Sequence, residues 1–215
     1  MGDFEKTPLN KVVRSPKRGH YDHETIYGIL DEGYICHVAF NHEDQPIILP
    51  TAYAREGDTI LIHGASKNRL ITSLGKGGPC CVTVTHTDGL VLARSIFHHS
   101  MNYRSAVCFG TAELVEEWDD KWEALRLISE SILPGRWAET RLPNEIEMKA
   151  TAVLRINIES ASAKIRTGPP GDEKEDYELP IWAGVLPLRK GYDPPETDPQ
   201  LTPGIPISES VKNAQ

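Results

Sequence analysis

The chain has 215 residues, 39% hydrophobic and 25% charged, with a formal net charge of −8. This size and apolar content suit one domain with embellishments, and the acidic balance argues against nucleic acid as the main partner, because a phosphate backbone rewards excess Lys and Arg. No apolar run reaches the roughly 20 residues needed to cross a bilayer, and the N-terminus lacks a basic-then-apolar signal pattern, so a cytoplasmic protein without membrane contact is expected.

Residues 1–13 read as an N-terminal arm, 14–190 as the folded domain and 191–215 as a tail rich in Pro and acids. Lys11, Arg14, Lys17 and Arg18 form a basic cluster, read as a solvated part of the N-terminal arm, with a cluster facing an anion as the alternative. A helix is predicted over residues 23–32, with Ile26, Ile29 and Leu30 on one face and Gly33 as its stop. An antiparallel meander follows: strands at 34–40, 46–54 and 59–63, with turns at 41–44 and 55–58.

Ser66 is the expected N-cap of a helix through Leu70, Ile71 and Leu74, closed by the glycines from Gly75 onward. Next come a β-branched strand at 80–85, a turn at Asp88 and Gly89, the apolar run 90–93, and a strand over 103–115. Trp122, Leu125, Ile128 and Ile132 recur at helical spacing and are expected in the core. A short helix after Pro143 and a strand over 152–165 complete the domain. Six or more strands with a few helices make a mainly β (α+β) fold, a small barrel with peripheral helices.

Most motif-based readings fail on spacing. Gly75, Lys76 and Gly77 follow a helix instead of opening one, no dinucleotide fingerprint occurs, and the nucleophile elbow around Ser100 is missing. Cys36, Cys80, Cys81 and Cys108 form no C-x-x-C pair and lie in apolar runs, so buried reduced thiols are expected. His98 and His99, read as strand neighbours, point to opposite faces, and no coordination set is completed, so no metal site is assigned. Residues 64–69 are different. A small-residue turn feeding a helix start, with Ser66, Lys67 and Arg69, favours an anion, although a capped surface helix has the same sequence.

Several motifs in one order resemble the pyridoxamine 5′-phosphate oxidase-like, FMN-binding split-barrel superfamily, on its nitroimidazole-reductase-like branch. They run from Arg18-Gly19-His20-Tyr21-Asp22 through Ile62-His63-Gly64-Ala65 and His98-His99-Ser100-Met101-Asn102-Tyr103-Arg104-Ser105 to Trp182-Ala183-Gly184-Val185-Leu186-Pro187. The resemblance implies a homodimer with FMN in each of two interfacial grooves. Leu49, Pro50 and Thr51 would follow the flavin ring, with Ile62 and His63 on the next strand; Ser66, Lys67 and Arg69 would hold the phosphate. Arg104 and Ser105 match the family's Arg-Gln pair, with Ser105 replacing the glutamine. Lys164, Arg166 and Trp182 would reach the partner's site. The implied activity is hydride transfer between FMN and a small molecule, with NAD(P)H as donor and His63 as proton donor. The alternative is a non-catalytic carrier or sensor of flavin, haem or pyridoxal phosphate. The motif set of the true pyridoxamine-phosphate oxidases is incomplete.

Overall fold

In the computed structural model, which describes residues 2–214, alternating burial along six long strands closes a barrel. The elements in chain order are β1 (Gly19–His20), α1 (His23–Asp31), β2 (Ile35–His42), β3 (Gln45–Glu56), β4 (Thr59–Ala65), α2 (Arg69–Leu74) and β5 (Pro79–Leu92). They continue with β6 (Ser100–Leu114), α3 (Trp118–Ile132), α4 (Glu145–Ala150), β7 (Thr151–Arg166), β8 (Gly184–Pro187) and α5 (Glu209–Asn213). The strands run in the order β1-β7-β4-β3-β2-β5-β6, and β6 also pairs β7, so the sheet meets itself. The mainly β expectation holds. Among the described residues, no helix is long and apolar enough to cross a membrane.

The β2–β3 hairpin turns on Glu43 and Asp44, both at positive φ, as a two-residue turn matched to strand twist requires. Residues 45–52 of β3 pair only with β2, whereas 53–56 pair with β4. Residues 63–65 of β4 pair instead with β7. The barrel is therefore split between the first part of β3 and the end of β4, and β3 has a free backbone edge there. Pro50 suits that edge because it has no N–H to leave unpaired.

Two apolar clusters follow from the period-2 alternation. Inward residues such as Val38, Tyr53, Ile62 and Leu154 fill the barrel with Ile26 and Leu30 of α1. On the other face of the sheet, Ala54, Leu61 and Val153 pack against Ala124 and Ile128 of α3. His63 lies two residues beyond Leu61 and opposite Val153, so it too faces the α3 side.

Several expectations are corrected. Asp88 and Gly89 form a bulge within one 14-residue strand, not a turn. A Cβ on Gly89 would lie 2.8 Å from the Leu186 carbonyl oxygen, so β8 can pair there only against glycine. Of the helical set expected in the core, Ile128 is fully buried, Ile132 is exposed, and Trp122 is half-buried, edge-on to Trp137 at 5.6 Å. Asn68, not Ser66, caps α2, accepting from the Leu70 amide at 3.0 Å. The helix after Pro143 starts with a full capping box on Asn144 and Glu147. The arm is held to the barrel, since buried Asn10 donates to the Ala161 carbonyl at 3.0 Å. The tail returns to its own chain, where Ser210 bonds Glu139 and Ser208 accepts from Arg136.

Candidate functional site

The expected site residues fall into separate places. Leu49, Pro50 and Thr51 lie on the free edge of β3, and Ile62 and His63 lie across the split. Ile62 is 0% exposed, with its side chain in the barrel core, so it can offer a ligand only its backbone. Ser66, Lys67 and Arg69 follow at the end of β4. All three are exposed, and the Lys67 and Arg69 cations have no hydrogen bond or ion pair within the chain. The loop therefore offers free donors at the rim of the split. Because α2 has only six residues, these side chains matter more there than the helix dipole.

His63 opens onto a cavity of about 380 Å³ beneath α3, lined by Leu125, Ile128, Ile132, Trp137 and Arg141 among others. Neither ring nitrogen makes a hydrogen bond, and Nδ1 is buried without a partner. Burial pushes the His63 pKa down, so at neutral pH the ring is uncharged. That makes it a base or a metal ligand in waiting, and a poor acid.

Arg104 is not available. It donates through Nε and Nη2 to Asp88 at 3.0 and 2.7 Å, and through Nη1 and Nη2 to Glu32. Its hydrogen bonds to the Glu32 and Asp88 carboxylates push its pKa up further. Two carboxylates already engage this guanidinium, which stands in an ion cluster with Glu32 and Asp88. Its neighbour Ser105 points to the other face, toward Lys164, whose carbonyl accepts from its hydroxyl at 3.4 Å.

Lys164 and Arg166 line a different groove, of about 620 Å³, with Arg14, Arg18, Tyr103 and His98. Arg166 is only 8% exposed and bonds to Asn102 and to the Gly168 and Pro169 carbonyls. Among the described residues, no carboxylate lines the groove. Burial, and then the like charge of Arg18, push the Arg166 pKa down. Ser15, on the rim, holds φ 56°, a left-handed conformation uncommon for serine. The basic cluster of Arg14 and Arg18 is visible in the sequence, but Lys164 and Arg166, which share the groove with it, lie more than 140 residues away.

His98 and His99 do not stand in a strand. Residues Ile96–His98 form a 3-10 turn, His98 faces Glu173 at 3.4 Å, and His99 Nε2 bonds to the Ala93 carbonyl at 3.1 Å. Trp182 is 68% exposed and lies against Gly184. All four cysteines are free, and burial pushes the thiols of Cys36, Cys80 and Cys108 up to about 12. Among the described residues, no group of three or more His, Cys, Asp or Glu is placed to hold a metal ion.

The loop at 66–69 and the groove lie at opposite ends of β7. Ala65 pairs with Thr151, and Ser105 with Lys164. At about 3.3 Å per residue, Thr151 and Arg166 are separated by roughly 50 Å of strand path.

Comparison with known proteins agrees with this architecture. The chain is 39% identical to the flavocytochrome Anf3 from Azotobacter vinelandii, over 97% of each chain, with a TM-score of 0.90. It is 35% identical to the FAD and haem binding protein from Mycobacterium smegmatis, over 92% of this chain and 97% of that one, with a TM-score of 0.87. A candidate 5-nitroimidazole antibiotic resistance protein from Bacteroides thetaiotaomicron shares the fold at 22% identity, over 67% and 84%, with a TM-score of 0.55. No curated protein matches. The pyridoxamine 5′-phosphate oxidase family model matches residues 22–165, most of the barrel. With that match and two relatives above 30% identity along nearly their whole length, the chain belongs to the pyridoxamine 5′-phosphate oxidase family.

Proposed function

We propose that this chain binds a flavin and a haem and moves electrons between them, as a homodimer. The observation that carries this reading is His63: uncharged, unbonded at both ring nitrogens, and open to a cavity beside the split whose lining is half apolar, with Arg141 and Glu147 on its polar side. Such a histidine suits an iron ligand better than the proton donor expected from sequence, because an imidazole held neutral has no proton to spare from its second nitrogen. The two relatives named for both flavin and haem support pairing this cavity with a flavin site.

The residues present fit both groups. The free β3 edge at Leu49, Pro50 and Thr51 offers backbone groups to a polar ring rim, and Ser66, Lys67 and Arg69 offer three unused donors to a phosphate. Leu125, Ile128 and Trp137 would exclude water around a macrocycle. When bound, the flavin takes up two electrons as hydride and the haem iron exchanges one. A donor such as NADH or NADPH and a small-molecule acceptor complete the cycle. FMN remains the smaller flavin that the barrel would take, and FAD the larger. The homodimer belongs to the same reading: a two-fold mate would bring Lys164, Arg166 and exposed Trp182 of one subunit to the 66–69 loop of the other.

The test is the absorption spectrum of the purified protein, followed by anaerobic NADH or NADPH and by light scattering. Flavin bands with a Soret band, bleaching by the donor, and a dimer mass are expected. A colourless protein that takes up neither flavin nor haem on titration would overturn the reading, and a flavin-loaded monomer would overturn its interfacial form.

A further inference from the structure

We infer that the groove around Arg166 is a nucleoside-diphosphate site, apart within one chain from that chain's own phosphate loop at 66–69. This deepens the flavin reading and rests on it only for which dinucleotide occupies the groove. A guanidinium has five N–H donors. In Arg166, Nη1 serves Asn102 Oδ1 and the Gly168 carbonyl, and Nη2 gives one bond to the Pro169 carbonyl. The Nε–H and the second Nη2–H remain, and these form the side-on edge that grips a phosphate or carboxylate with two parallel bonds. Such an edge on a residue 8% exposed, with no carboxylate among the described residues that line the groove, is a charge built in without its counterion.

The surroundings fit a diphosphate better than a single carboxylate. Arg14, Arg18 and Lys164 bring three more cations to the same groove, in a chain whose net charge is −8. Arg18 is close enough to disfavour the charge on Arg166, a repulsion that a shared anion would relieve. Phe97, also on the groove, is 85% exposed, an aromatic face of the kind on which a base stacks. A diphosphate on the cations with its base on Phe97 is one half of a dinucleotide. FAD and the nicotinamide dinucleotides both contain that half.

The experiment titrates flavin-free full-length protein with ADP by calorimetry. Wild type should bind ADP, and Arg18→Ala, Lys164→Ala and Arg166→Lys should each weaken it by about tenfold or more, as expected for loss of a charge-assisted phosphate contact. Arg18 and Lys164 lie at the surface or partly so, which keeps the test independent of folding at buried Arg166. FMN, which lacks the adenylate half, should lose less affinity than ADP in these variants. A parallel loss of FAD affinity assigns the groove to the flavin's adenylate half; unchanged FAD affinity with a raised KM for NADH or NADPH assigns it to the hydride donor. No ADP binding by wild type, or equal binding by all variants, would overturn the site even if FMN binds. ADP binding without any flavin binding would keep the site and defeat the flavin reading.

Discussion

The loop at 66–69 and the groove around Arg166 are both cationic, yet the chain builds them in different ways. In the loop, Lys67 and Arg69 stand free in solvent on a short turn whose shape is fixed by neighbouring contacts, the Ser66 amide on the Ala150 carbonyl and the Asn68 cap. In the groove, Arg166 is buried and three of its donors are already fixed by Asn102 and backbone carbonyls. An exposed cation costs little and contributes little until an anion arrives. A buried one is costly without its counterion and is already positioned to meet it. The groove is therefore preorganised, whereas in the loop only the backbone is fixed and the two cationic side chains are left to be held by a ligand.

The largest expected effect is on the loop. Replacing Lys67 and Arg69 together with Ala removes two charge-assisted phosphate contacts of about 1.5–3 kcal/mol each. Flavin affinity, followed by fluorescence quenching, should fall at least a hundredfold with the melting temperature unchanged. Equal affinity would place the phosphate elsewhere.

Arg104 sharpens the contrast from the other side. Arg104→Ala breaks pairs with Glu32 and Asp88 that are partly solvent-screened, a loss of about 1 kcal/mol of stability. Thermal unfolding should register that loss, and flavin affinity should stay the same. A drop in affinity without loss of stability would return Arg104 to the cofactor wall. Asn144→Ala, which removes the capping box of α4 on the far side of the His63 cavity, should likewise cost about 1 kcal/mol.

The smallest effect is on pH dependence. The folded-state pKa of His63 lies below its ordinary value, so on acidification the unfolded chain takes the proton first. Its contribution to stability is complete above about pH 6.5 and declines as the pH falls below that. Denaturant titrations of His63→Gln should lack this part of the acid slope. A slope identical to wild type would mean that the ring is protonated in the fold.

The barrel was legible because its strands alternate cleanly, as in β4, where Ile60 and Ile62 point inward and Leu61 and His63 outward. The β5 bulge was misread as a turn because Asp-Gly is a strong hairpin signal, whereas here the glycine is required by the approach of β8. Arg104 was assigned by its place in a motif, and only the fold reveals that Glu32 and Asp88, 72 and 16 residues away, already occupy it. The same limit hid the groove, because Arg14 and Arg18 meet Lys164 and Arg166 only through the pairing of β1 with β7. Local patterning shows which face a side chain takes; it does not show which distant side chain waits opposite.

The most direct test of the central claim is haem titration of wild type and His63→Ala, read by absorbance with the flavin bands as internal reference. Ligation by His63 predicts a Soret band in wild type that is lost or shifted in the variant while the flavin bands remain. An unchanged Soret band in His63→Ala, or none in wild type after haem is supplied, would contradict it.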